Sequence, residues 1–205
     1  MQIVLDTHFN SLEQFVDEVQ HFDLDFKLLG TGGFLGQVKQ LVSQDILIAY
    51  ARFHRALDQT GATPAGFRTF VIPGKDCHGF WWRGYSISNN DLLIFPKSNE
   101  LHSSSGADFE VFTISIRETY LKQLADELEI AEVIENRHEV IRLDPDISRD
   151  LRMLAKMIVK SGRETNTIEA SHLLAEKLAL STASDRPVKK PSLRKRDLAI
   201  NRIIE

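Results

Sequence analysis

Hydrophobic positions change their rhythm several times along this chain, and each change predicts an element. In NSLEQFVDEVQHF, Leu12, Phe15, Val16 and Val19 recur at helical spacing behind Asn10 or Ser11, either of which suits an N-cap, so a short helix is expected. From Phe26 to Ile116 the pattern shortens into runs rich in aromatic and β-branched residues: KLLGTGGFLGQVKQLV, DILIAYARF, FRTFVIP, GFWWRGYSI, DLLIFP and FEVFTISI. Turn-forming stretches such as GTGG, SQD, GATPAG, PGKD, SNND and SSSGAD separate them. This texture predicts roughly six to eight antiparallel strands at the spacing of a sandwich or small barrel.

Helical rhythm returns in RETYLKQLADELEI, and HEVIRLD reads as a last strand. DPDISRDLRMLAKMIVKSG then sets Ile147, Leu151, Leu154 and Ile158 on an a/d stripe, opened by Pro145 or Asp146 and stopped by Gly162. NTIEASHLLAEKLALS brings Ile168, Leu174 and Leu178 near one face. Two such helices in succession after a β body form a hairpin that must pack on something. ASDRPVKKPSLRKR, with two prolines and six basic residues, has almost nothing to bury and reads as a linker. Beyond it RDLAINRIIE has the apolar spacing of a helix that is too short to be stable alone.

Composition narrows the class. The 205 residues are 42% hydrophobic and 26% charged, ordinary for a globular protein that buries one sizeable core. MQIVLDTHFN lacks a basic start followed by an apolar run, so neither a secretory signal nor a membrane span is expected, and the expected location is cytoplasmic. A single cysteine, Cys77, excludes an internal disulfide and a thiolate-rich metal cluster.

The net charge of -4 hides an asymmetry. Residues 185–205 hold seven basic and three acidic side chains, a surplus of four positive charges, which leaves positions 1–184 with eight net negative ones. So acidic a body repels phosphate, and only the tail favours nucleic acid.

Candidate chemistry is sparse. The seven histidines are scattered without an HxH pair; only His78 and His102, with Glu100, fall near strand ends where they could converge, and a metal needs three preoriented ligands. Cys77 and His78 are neighbours, but neighbours in an extended strand point to opposite faces, which is poor geometry for proton transfer. The GTGG run lacks the lysine and hydroxyl of a P-loop and reads as a turn. In FWWR, Phe80 and Trp82 share one face and Trp81 and Arg83 the other, so one tryptophan is expected inside and one outside. Aromatic area beside one charge suits a small-ligand pocket, and Arg52, His54 and Trp82 are its candidate lining.

The order of parts, a β body, a helical hairpin, a basic linker and then RDLAINRIIE, resembles bacterial AraC-type transcription regulators. The stretch FVIPGKDCHGFWWRGYSISNNDLLIFPKSNELHSSSGADFEVFTISI looks most like their N-terminal domains, with some resemblance to the ethanolamine-utilisation regulators. The resemblance implies a mainly β fold with α: a cupin-like β-sandwich over 1–144 that senses an effector, and an antiparallel hairpin over 145–182. A basic linker over 183–193 then leads to 194–205, the first helix of a helix-turn-helix domain truncated here.

The resemblance also implies a homodimer joined through Ile147, Leu151, Leu154 and Ile158, a small-molecule effector, no catalysis, and neither metal nor other cofactor. DNA would be met only through the missing C-terminal domain. A stand-alone metal-dependent cupin-type enzyme is the alternative.

Overall fold

The computed structural model describes residues 1–19, 22–95, 100–130, 139–162, 166–182 and 187–188. In chain order the elements are β1 (Gln2–Phe9), α1 (Leu12–Glu18), β2 (Asp23–Leu28), β3 (Gly36–Val42), β4 (Ile46–Phe53), β5 (Leu57–Ala62), β6 (Phe67–Pro73), β7 (Trp81–Trp82), β8 (Tyr85–Ser86), β9 (Asp91–Ile94), β10 (Glu100–Ser105) and β11 (Phe109–Arg117). Then come α2 (Glu118–Glu127), β12 (Val140–Arg142), α3 (Pro145–Ser161) and α4 (Asn166–Thr182). The stretch read as roughly six to eight strands holds ten, β2 to β11. One split comes from GFWWRGYSI, which folds back on itself where Arg83 and Gly84 both adopt positive φ.

The strands form two antiparallel sheets, one ordered β1-β3-β4-β11-β6-β9-β12 and the other β2-β5-β10-β7-β8. Alternation along β11 explains how they stack. Phe109 and Val111 point to the facing sheet, while Phe112, Ile114 and Ile116 point outward. The outward set meets α2, α3 and α4 in one core with Leu41, Ile48, Phe70, Leu92, Leu151, Leu174 and Leu178. Because helices cover one face and the second sheet the other, β6 and β9 read as nearly continuous apolar runs, FRTFVIP and DLLI.

The architecture is thus a cupin-like β-sandwich with helices on one outer face. β1, unforeseen as a strand, adds to this larger sheet from Gln2 opposite Val42 to Phe9 opposite Gly36.

Local chemistry fixes the joints. Ser11 caps α1 by accepting the Gln14 N–H at 3.4 Å, and Phe15 of that helix sits among Phe9, Phe26 and Phe53, with ring centres 4.7 to 5.5 Å away. This aromatic group fills one part of the inter-sheet core. Asp144 caps α3, its carboxylate accepting the Asp146 N–H at 3.0 Å, with Pro145 at the first helical position. Gly162 ends it at φ +60°, where a Cβ would lie 2.9 Å from Ile3 Cδ1. At Gly61, φ +139° lets β2 pass so close that a Cβ would stand 2.0 Å from the Asp23 carbonyl.

The hairpin is antiparallel, but its predicted stripe is largely internal. Leu151 and Ile158 are fully buried, 0% and 1% exposed, against the sheet and α4; Leu154 is half-buried and Ile147 exposed. The buried face of α3 is centred instead on Ser148, Leu151, Ala155, Ile158 and Val159. Leu151 and Ile158 are therefore unavailable to a second chain, which corrects half of the expected seam. Residues 194–205 and all but Pro187 and Val188 of the expected linker lie outside the described residues.

Candidate functional site

Strand parity also decides what faces the space between the sheets. On the smaller sheet, Leu57, Gln59 and Gly61 of β5, and Leu101, Ser103 and Ser105 of β10, alternate with outward residues. The register sets Gln59 opposite Ser103, and Ser103 in turn opposite Trp82 of β7. The row Gln59, Ser103, Trp82 thus crosses three adjacent strands. From the larger sheet Val71, Phe109, Val111 and Thr113 face it.

Between them lies a cavity of about 70 Å³, closed further by Phe22, Leu24, Thr63, Phe80, Phe95 and Leu101. The aromatic rings hold one another in place: Phe80 packs on Phe109 at 4.7 Å, and Trp82 meets Phe95 edge-on at 5.5 Å.

Three polar atoms in this lining are buried without a hydrogen-bond partner among the described residues: Trp82 Nε1, Gln59 Nε2 and Thr63 Oγ1. Each such orphan costs about 1–3 kcal/mol relative to a satisfied group. Three converging on one cavity mark the place where an occupant would recover that energy. None of the lining side chains is charged.

Of the candidates drawn from the sequence, Trp82 lines the cavity and is 1% exposed, with Phe80 beside it and Trp81 half-buried on the other face. Arg52 and His54 do not line it. Both do share a face, as expected, but it is the outer one, because Phe53 between them takes the inward position. Arg52 is exposed opposite Glu110, and His54 is exposed with Nδ1 2.8 Å from the Asp108 carboxylate. Gln59, Thr63 and Ser103 escaped the sequence reading. Their signal was weak: uncharged polar residues at inward positions of LDQTGAT and LHSSS.

Arg83, at φ +48°, turns back over the smaller sheet. Its guanidinium donates to Glu139 at 3.2 Å and to the Glu100 carbonyl at 3.0 Å. His78, Glu100 and His102 are exposed, and among the described residues no three metal-ligating side chains gather. In the GTGG turn, Gly30 and Gly32 adopt positive φ and Arg55 donates to the Thr31 carbonyl.

At the far edge of the larger sheet, Pro187 bridges to Ile141 and the Val188 N–H donates to the Val140 carbonyl at 3.0 Å. The start of the basic segment is thereby laid against β12. No helix among the described residues is long and apolar enough to cross a membrane.

The fold defines the chain as a cupin-like β-sandwich carrying a helical hairpin. Among solved structures it shares that fold with the AraC-like transcriptional activator CuxR, at a TM-score of 0.62 and 14% identity over 96% of this chain and 79% of that one. A vicilin from hazelnut, Corylus avellana, aligns with a TM-score of 0.29 and 9% identity, over 70% of this chain and 51% of its own. An oxalate decarboxylase mutant from Bacillus subtilis aligns with a TM-score of 0.26 and 13% identity, over 58% and 41%. No family model and no curated protein matches the sequence.

Proposed function

We propose that this chain is the effector-sensing and dimerisation part of an AraC-type transcription regulator. One observation carries the reading: an inter-sheet cavity with orphaned polar atoms is joined in the same chain to a helical hairpin packed on the outside of the same sheet. The shared fold with an AraC-like activator supports it. An effector in the cavity would act by binding one arrangement of sandwich and hairpin better than another, and so shift their populations. DNA contact belongs, in this reading, to a helix-turn-helix unit beginning near residue 194.

Dimerisation is assigned to the outward side of the hairpin. Met153 and Met157 of α3 and Leu173 and Leu180 of α4 are large apolar side chains exposed there, alongside Ile147. Replacing Met153 and Met157 together by lysine should convert a dimer into a folded monomer, read by sedimentation velocity with circular dichroism as the control for folding. A wild-type chain that sediments as a monomer, or a double variant that remains a dimer, would remove dimerisation from the reading.

A further inference from the structure

We infer that the cavity between the sheets takes a small uncharged molecule, a short apolar chain bearing a hydrogen-bond acceptor such as a ketone oxygen. The inference rests on the sensing reading above and names the ligand class of that site. Both orphaned nitrogens are donors: the indole N–H of Trp82 and the amide NH2 of Gln59 can give a proton but accept none. An occupant must therefore bring a lone pair. Thr63 Oγ1 can serve either role and adds a third polar contact at the same cavity.

Charge decides against an anion. A carboxylate or phosphate entering would shed its hydration without meeting a cation, because no basic side chain lines the cavity. Arg83 stands 6.0 Å from the Trp82 ring centre, but its guanidinium is engaged by Glu139 and by the Glu100 carbonyl. The eight net negative charges of positions 1–184 add a repulsive field.

A polyol fits poorly for the opposite reason. Val71, Phe80, Phe95, Phe109 and Trp82 supply mostly apolar wall, so most hydroxyls of a sugar would be buried without partners. A volume of about 70 Å³ is the share of roughly two waters, and about half that of a cavity that takes a benzene ring, which sets the scale of the ligand at a chain of a few heavy atoms.

The test uses the whole chain and two matched probes, acetone and acetate, titrated while the tryptophan indole N–H resonances are followed by NMR. Trp81→Phe assigns the two signals. Acetone should move the Trp82 indole proton downfield in a saturable way, and acetate should leave it in place at the same concentration. Gln59→Leu keeps both indole signals and should weaken acetone binding roughly fivefold, the loss of one hydrogen bond; Thr63→Val gives the same readout if the first variant does not fold.

Equal binding of acetate, or no saturable movement with acetone, overturns the ligand class; the second result would mean that the cavity holds only water. The regulator reading is judged separately by sedimentation. Acetone bound by a chain that never dimerises would leave the ligand class standing while the dimerisation reading fails.

Discussion

The thiol of Cys77 is half-buried, and burial above all, with the Asp91 charge adding and Arg152 opposing, pushes its pKa up to about 12. The thiolate is the reactive form, so this residue is a small apolar side chain at neutral pH and not a nucleophile. Alkylation by iodoacetamide at pH 8 should run roughly two to three powers of ten slower than for an ordinary thiol. Mass spectrometry of a timed reaction reads this directly, and labelling at the ordinary rate would contradict it.

Strand β4 also shows where the sequence stopped being informative. Tyr50, Arg52 and His54 alternate with Ala51 and Phe53, and both sets contain an apolar ring, because the sheet is covered on both faces. Alternation could say which side chains travel together but not which set faces the second sheet. The FWWR stretch was readable because Phe80 and Trp82 share a face that is plainly the more apolar. Gln59 was not, since a single glutamine in a strand carries no periodic signal.

At the scale of elements, α3 separates residues that look alike in sequence. Leu151 is 0% exposed against the sheet, and Met157 is 50% exposed on the other side of the same helix. Leu151→Ala should lose about 2–5 kcal/mol in urea unfolding, and Lys156→Ala, at an exposed position of the same helix, should stay within about 0.5 kcal/mol of wild type. Similar losses for the two would place the helix in a different rotation.

The helix itself was legible from its cap, its proline and its glycine stop, all of which the structure uses. Its rotation was not, because the buried face runs through Ser148 and Ala155, small residues that a count of large apolar positions passes over. β1 was missed for a related reason: its alternation of Ile3, Leu5, Thr7 and Phe9 is modest, and its burial pattern is mostly intermediate at the sheet edge.

At the scale of the molecule, the succession of β body and hairpin was readable, whereas the packing of the hairpin on the larger sheet depends on pairings far apart in sequence, such as Leu151 with the β3–β4 region. Among the described residues, the basic segment meets that sheet's edge through the bridge of Pro187 to Ile141, one hydrogen bond from Val188 to Val140, and the half-buried Val188 side chain packed on the inter-sheet core. Val188→Pro removes the donating N–H. Trypsin cleavage after Lys189 should then accelerate several-fold, and an unchanged rate would show that the contact does not restrain the chain.

That small clasp ties the edge of the larger sheet to the end of the hairpin. Val188 on β12 and Thr182, the last residue of α4, are six residues apart in the chain. Six residues extend at most roughly 20 Å. The point where the basic segment meets the sheet therefore lies within that distance of the end of α4, so any shift of the hairpin on the sheet is felt at β12 across no more than that span.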